Sequence, residues 1–158
     1  MNGEAFALPD ASHVATLAAR LTVAAVLGAL LGLEREMVAK PAGLRTHVLV
    51  ALGSALFVVA MAEAGASSND LTRVVQGIAT GIGFVGAGAI LKSDSEGRVR
   101  GLTTAANIWL AAAVGMAVGI GRVWLPILGT VLALVVLSAG RWLEERVIDR
   151  LAPAKRRR

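Results

Sequence analysis

Five apolar stretches of 16 to 20 residues follow one another with only short polar links between them. They are Val14–Leu33, His47–Ala62, Val74–Leu91, Leu102–Ile120 and Val123–Gly140. A helix rising about 1.5 Å per residue needs ~20 such residues to cross the roughly 30 Å hydrocarbon core of a bilayer. Charged residues make up 17% of the chain, against about 25% in an ordinary soluble domain, too few to give five such helices a water-facing surface. The expectation is an all-α integral membrane protein, a bundle of five transmembrane helices. The second stretch is short and draws on Leu44–Thr46 to complete its span.

The basic residues set an orientation. Arg35, Lys40 and Arg45 lie between spans one and two, and Lys92, Arg98 and Arg100 between spans three and four. Seven more follow Gly140, so 13 of the 16 Lys and Arg residues fall on one side. Arg73 and Arg122 lie on the other, and Arg20, within span one, reaches that interface along its stem. Cytoplasmic loops collect Lys and Arg, which places the amino terminus outside and the carboxyl terminus inside. Glu4 and Asp10, not basic residues, precede the first span, so it reads as an uncleaved anchor. Trp124 and Trp142, about 27 Å apart along a helix, mark the two interfaces of span five.

Residues 1–140 thus read as a transmembrane domain and 141–158 as a cytoplasmic tail. In the tail Leu143, Val147 and Leu151 share one helical face until Pro153 stops it. Lys155, Arg156, Arg157 and Arg158 then face the anionic inner leaflet, where each basic residue gains about 1 kcal/mol. The net charge of +5 therefore needs no nucleic acid. With no cysteine, disulfides, thiolate metal sites and cysteine nucleophiles are excluded. No Ser-His-Asp set or carboxylate pair suited to acid–base catalysis assembles, so an enzyme is not expected.

Glycine is patterned. Gly43-Leu44-Arg45-Thr46 opens span two much as Gly101-Leu102-Thr103-Thr104 opens span four, so spans one-two and three-four read as a parallel repeat of one hairpin. Span three carries Gly77, Gly81, Gly83, Gly86 and Gly88. A dinucleotide fingerprint is rejected there, since it requires a strand before it and an acidic residue about 20 positions on. Close helix packing is the better reading, with Gly28/Gly32 and Gly115/Gly119 at the same four-residue spacing. Such seams either close the bundle or join two protomers, most simply as a dimer.

Polar residues at membrane depth are the candidate site. Glu34, Arg35 and Glu36 end span one, and Arg45, Thr46 and His47 open span two, so Glu34 and Arg45 are placed to meet. Ions in hydrocarbon are costly, so a lone carboxylate there would need water or protonation. The charges read either as interface charges that fix topology or as a site that attracts a cation or forms a switchable ion pair. Glu34 and Glu36 are tentative ligands for Mg²⁺, which prefers oxygen and keeps its water. His47 lacks a second histidine at ligand spacing and reads as a hydrogen bonder. Gln76 and Asn107, with Thr103, Thr104 and Trp109, make either interhelical hydrogen bonds or a polar pathway.

Taken together, "GLERE" (Gly32–Glu36), "AGLRTHVLVALG" (Ala42–Gly53), "RVVQGIATGIGFVGAGAILK" (Arg73–Lys92) and "VRGLTTAANIWLAAAVGMAVGIG" (Val99–Gly121) resemble the MgtC/SapB family of bacterial inner-membrane proteins over roughly residues 14–140. The resemblance implies a five-span domain and a link to growth at low Mg²⁺ and, in some members, to survival inside phagocytes. It also implies a non-enzymatic regulator of another membrane complex, the F-type ATP synthase among them, with a cation transporter or channel as the alternative. Candidate residues by position are Glu34, Arg35, Glu36, Arg45, Thr46, His47, Arg73, Gln76, Thr103, Thr104, Asn107 and Trp109. Longer members add a soluble domain after the last span, whereas this chain continues for 18 residues beyond Gly140. The expected partners are the bilayer, a second copy of the chain and a membrane protein; no cofactor is expected beyond Mg²⁺.

Overall fold

The computed structural model describes residues 10–92, 99–143 and 146. Its helices are α1 (Ala11–Met37), α2 (Leu44–Glu63), α3 (Ser68–Gly88), α4 (Leu102–Gly119) and α5 (Trp124–Leu143). A two-residue antiparallel pairing, Leu91–Lys92 (β1) with Val99–Arg100 (β2), ties the link between α3 and α4. Four helices are long and apolar enough to cross a membrane: α1, α2, α4 and α5. α3 has the length, at 21 residues, but Asn69, Asp70, Thr72, Arg73 and Gln76 make its first turns polar. Some helices extend past the apolar runs: α1 begins three residues before Val14, α2 does recruit Leu44–Thr46, and α3 begins at Ser68 but stops at Gly88, leaving Leu91 to β1. Of the tail, Arg141, Trp142, Leu143 and Arg146 belong to the described residues, the Arg146 guanidinium lying 5.5 Å above the Trp142 ring. The expected face through Val147 and Leu151, Pro153 and the basic run Lys155–Arg158 lie outside them.

Local signals account for the ends. Asp10 caps α1 by accepting from the Ser12 amide and hydroxyl, bonds that hold its carboxyl below the usual carboxylate range. Ser67 and Asp70 form a reciprocal capping box at α3. Gly101 and Gly121, at φ of 95° and 92°, make the tight turns before α4 and after it; a side chain at Gly101 would strike the Ala89 carbonyl. Arg20 does not simply extend to the interface: its Nη1 donates to the Gly119 carbonyl at 3.5 Å, a cation at the negative end of α4.

The core is a three-helix contact among α1, α2 and α4, built on Ala24, Leu27, Leu31, Ala55, Ala111, Val114 and Val118. Its tightest point is Ala51. A Cβ on Gly28 would stand 2.8 Å from the Ala51 Cβ, and one on Gly115 would strike the Ala51 carbonyl. Gly32 lies against Leu44 in the same way, and Gly119 against Ala55 and Val58. Lipid is as apolar as a leucine side chain, so close backbone packing has to hold such helices together.

These contacts define directions. His47 meets Asn107, Ala51 meets Gly115 and Ala55 meets Gly119, so α2 and α4 run side by side in the same sense. The chain between them must therefore return across the bundle, and α3 makes that return despite its polar start. Gly28 and Gly43 are separated by 15 residues, as are Gly86 and Gly101. In each hairpin the first glycine faces the residue four after the second, His47 in one and Ala105 in the other. The fits differ, because Ile90 occupies the position equivalent to Gly32. A Cβ on Gly86 would clear Ala105 by 3.6 Å, where one on Gly28 would come within 2.7 Å of the His47 carbonyl.

α3 is accordingly peripheral, with Gly86 its one buried residue. Gly77, Gly81, Gly83 and Gly88 meet no atom within 4 Å of an added Cβ. The glycine seam therefore divides: Gly28, Gly32, Gly115 and Gly119 close the bundle, whereas those four of α3 close nothing among the described residues.

Overpacking makes this testable. Gly115→Leu is expected to lower stability by about 2 kcal/mol or more. Gly53→Ala, in the open part of α2, should change it by less than ~1 kcal/mol. Unfolding of the purified protein in detergent measures both.

Candidate functional site

At the end of the bundle where α1 and α5 finish and α2 and α4 begin, five side chains are almost wholly withdrawn from the surface. They are Glu34, Arg35, His47, Thr104 and Asn107. Glu34 and Arg35 are consecutive in α1, so their side chains diverge by about 100° around the helix. Glu34 turns to α5, where its Oε1 lies 3.1 Å from Nη2 of Arg141, and its Oε2 lies 3.6 Å from Nη1 of Arg35. Arg35 also reaches Oγ1 of Thr104 on α4 at 3.5 Å. One carboxylate is thus shared by two guanidinium groups from different helices. Among the described residues neither Glu34 oxygen accepts a well-formed hydrogen bond, and Nε of Arg35 has no acceptor.

The second cluster is neutral. His47 Nδ1 lies 2.9 Å from the Gly43 carbonyl, an arrangement in which the ring nitrogen must donate. That leaves Nε2 as acceptor for Nδ2 of Asn107, 3.1 Å away. Both ring nitrogens are therefore engaged, as a hydrogen-bonding role requires. A fully buried His47 fits because Gly28 and Gly32 supply no side chains on the facing surface of α1.

Glu36 does something different from Glu34. Exposed beyond the packed layer, its Oε2 accepts from the Leu44 amide at 2.7 Å and caps α2. A Cβ on Gly43 would come within 2.6 Å of that oxygen, so glycine there makes room for the carboxylate. The two glutamates thus have separate partners and do not turn toward a shared cation position. Among the described residues no three His, Asp or Glu side chains converge. Glu34 meets Arg141 and not Arg45, because Arg45 lies exposed on the outer side of the first turn of α2. Arg45 and Thr46 instead line a shallow hollow with Glu36.

The remaining candidates are dispersed. Arg73 and Gln76 lie exposed on α3, Thr103 is exposed at the start of α4, and Trp109 borders a groove between α3 and α4. Arg141 is the site residue that sequence reasoning missed by counting it with the tail. Its position in the last turn of α5, level with the charged end of α1, was the available signal.

Four apolar helices of membrane-crossing length, clamped by glycine, mark a multi-pass membrane protein. The chain belongs to the MgtC family, whose model matches residues 21–146. It is 45% identical to Protein SrpB of Synechococcus elongatus over 81% of this chain and 76% of that one. It is 41% identical to the "Putative magnesium transporter YhiD" of Escherichia coli, over 83% of this chain and 63% of the relative. It is 46% identical to Protein MgtC of Brucella abortus, over 78% and 50% respectively. The chain thus spans about half to three-quarters of the length of these relatives. No solved structure matches it.

The two glutamates should respond differently to substitution. Glu34→Ala leaves two cations without their shared anion and is expected to cost about 3–5 kcal/mol. Glu36→Ala removes a helix cap and should cost about 1 kcal/mol. Equal losses in detergent unfolding would contradict the division of roles.

Proposed function

We propose that this Mg²⁺-related membrane protein is a non-enzymatic regulator of the bacterial inner membrane, acting by helix–helix contact with another membrane complex. The observation that carries the reading is the state of α3. Most of its length is exposed, and an added Cβ at Gly77 or Gly81 would meet no atom within 4 Å among the described residues. Small residues at this spacing let a second helix approach closely in lipid. The occupant is a second copy in a homodimer, a partner complex, or each in turn. The F-type ATP synthase is the partner that the family resemblance suggests.

The internal pairing of Glu34 supports the same reading, because a carboxylate held by Arg35 and Arg141 is already neutralised. The competing reading is a cation transporter, favoured by the name that YhiD carries. Mg²⁺ uptake by dye-loaded liposomes containing the purified chain, beside an active Mg²⁺ channel, separates the two. Background flux is expected. Saturable flux abolished by Glu34→Gln, with folding retained, would establish the transporter.

The regulator reading predicts that Gly81→Leu, at an open position, preserves folding but abolishes crosslinking of α3 to its partner in native membranes. Retained crosslinking in Gly81→Leu would overturn it. The proposed orientation is accessible because the natural chain has no cysteine. A single Ala42→Cys should be shielded from a membrane-impermeant maleimide in intact cells, while Ala64→Cys should react.

A further inference from the structure

We propose that a cavity of about 450 Å³ between the ends of α1 and α5 and the start of α4 binds a phosphate-bearing anion. Three cations line it: Arg35, Lys40 and Arg141. The first turn of α4, through Leu102 and Thr103, completes the wall. Gly101 caps α4 with no side-chain hydrogen bond, so the positive end of an 18-residue helix opens here.

An independent observation points to a ligand. Arg35 lines the cavity and is 5% exposed, yet its Nε has no acceptor among the described residues. A buried donor left unpaired is costly, and a guanidinium more so. Glu34 offsets one of the three positive charges through its contacts with Arg35 and Arg141. Among the described lining residues the excess remains, since none of them is Asp or Glu. Gathering like charges at a positive helix terminus is unfavourable unless an anion joins them. Phosphate suits the set, because it accepts from guanidinium, ammonium and amide donors together.

The rest of the lining identifies the more fitting source. Val136 and Leu137 of α5, with Leu102, form an apolar side to the cavity. Val136 is 68% exposed on the outer surface of the bundle. A lipid seated here would lay its phosphate on the cations and an acyl chain along α5, whereas free phosphate would use the polar half alone. The inference rests on the membrane fold and stands apart from the proposed regulatory role.

The full chain, purified in neutral maltoside detergent, tests it by native mass spectrometry with phosphatidylglycerol and with diacylglycerol, which lacks phosphate. Inorganic phosphate is titrated separately by thermal shift. Phosphatidylglycerol should bind and diacylglycerol should not. Exposed Lys40 is the variant that spares the packed layer: Lys40→Gln should weaken phosphatidylglycerol about fivefold, and Arg35→Gln further. Arg122→Gln, at the opposite end, should leave it unchanged. Val136→Trp should weaken the lipid without altering any phosphate response, which identifies the lipid as the source. Stabilisation by phosphate, lost in Lys40→Gln and with no selective lipid binding, would assign the site to the free ion. Lipid binding indifferent to both Lys40→Gln and Val136→Trp, with no phosphate response, would overturn the proposal.

Discussion

Everything in this bundle depends on how closely three backbones approach at Ala51. Gly28 and Gly115 face it from α1 and α4, and neither position has room for a single added carbon. In lipid no water is released by bringing apolar helices together, so cohesion comes from atoms in contact and from polar groups that find partners. Glycine supplies the contact by removing the side chain between two helices. The same approach fixes α2 and α4 side by side in one sense, which in turn obliges α3 to return the chain between them.

The polar layer is a consequence of that clamp. Gly28 and Gly32 open the facing surface of α1, His47 fills the space, and Asn107 is carried to it by the parallel run of α4. One helical step away, Glu34 and Arg35 are held at the level of Thr104 and Arg141. Two glutamates separated by one residue thereby acquire unrelated tasks, one balancing buried cations and the other capping a helix. The second hairpin repeats the glycine spacing but not the fit, since Ile90 takes the place of Gly32. Its looser closure leaves α3 at the edge, with most of its glycines facing outward.

Much of this was legible in the residues themselves. Apolar length marked the five helices, and the spacing of Gly28, Gly32, Gly115 and Gly119 marked positions of close helix packing, within the bundle or between protomers. The motifs from Gly32 to Gly121 pointed to the MgtC family. The spacing of Gly77 and Gly81 was equally visible but does not say whether a partner lies within the chain or outside it. Glu34 was recognised as a carboxylate in need of a counter-charge. Its partner was assigned to the nearest basic residue of the next helix, Arg45, when it lies in Arg141 more than a hundred residues on.

By itself, then, the sequence determined that the chain forms apolar helices of membrane-crossing length, which stretch each occupies, and which positions could let backbones approach. Those properties are local, set by hydropathy over a run of residues and by side-chain size at each turn. Only the tertiary structure decided which helices use their glycines on one another, that α2 and α4 lie parallel, and that Glu34 is neutralised from α5. Such pairings depend on the rotation and depth of each helix against its neighbours, which packing of the whole bundle sets and no single helix encodes.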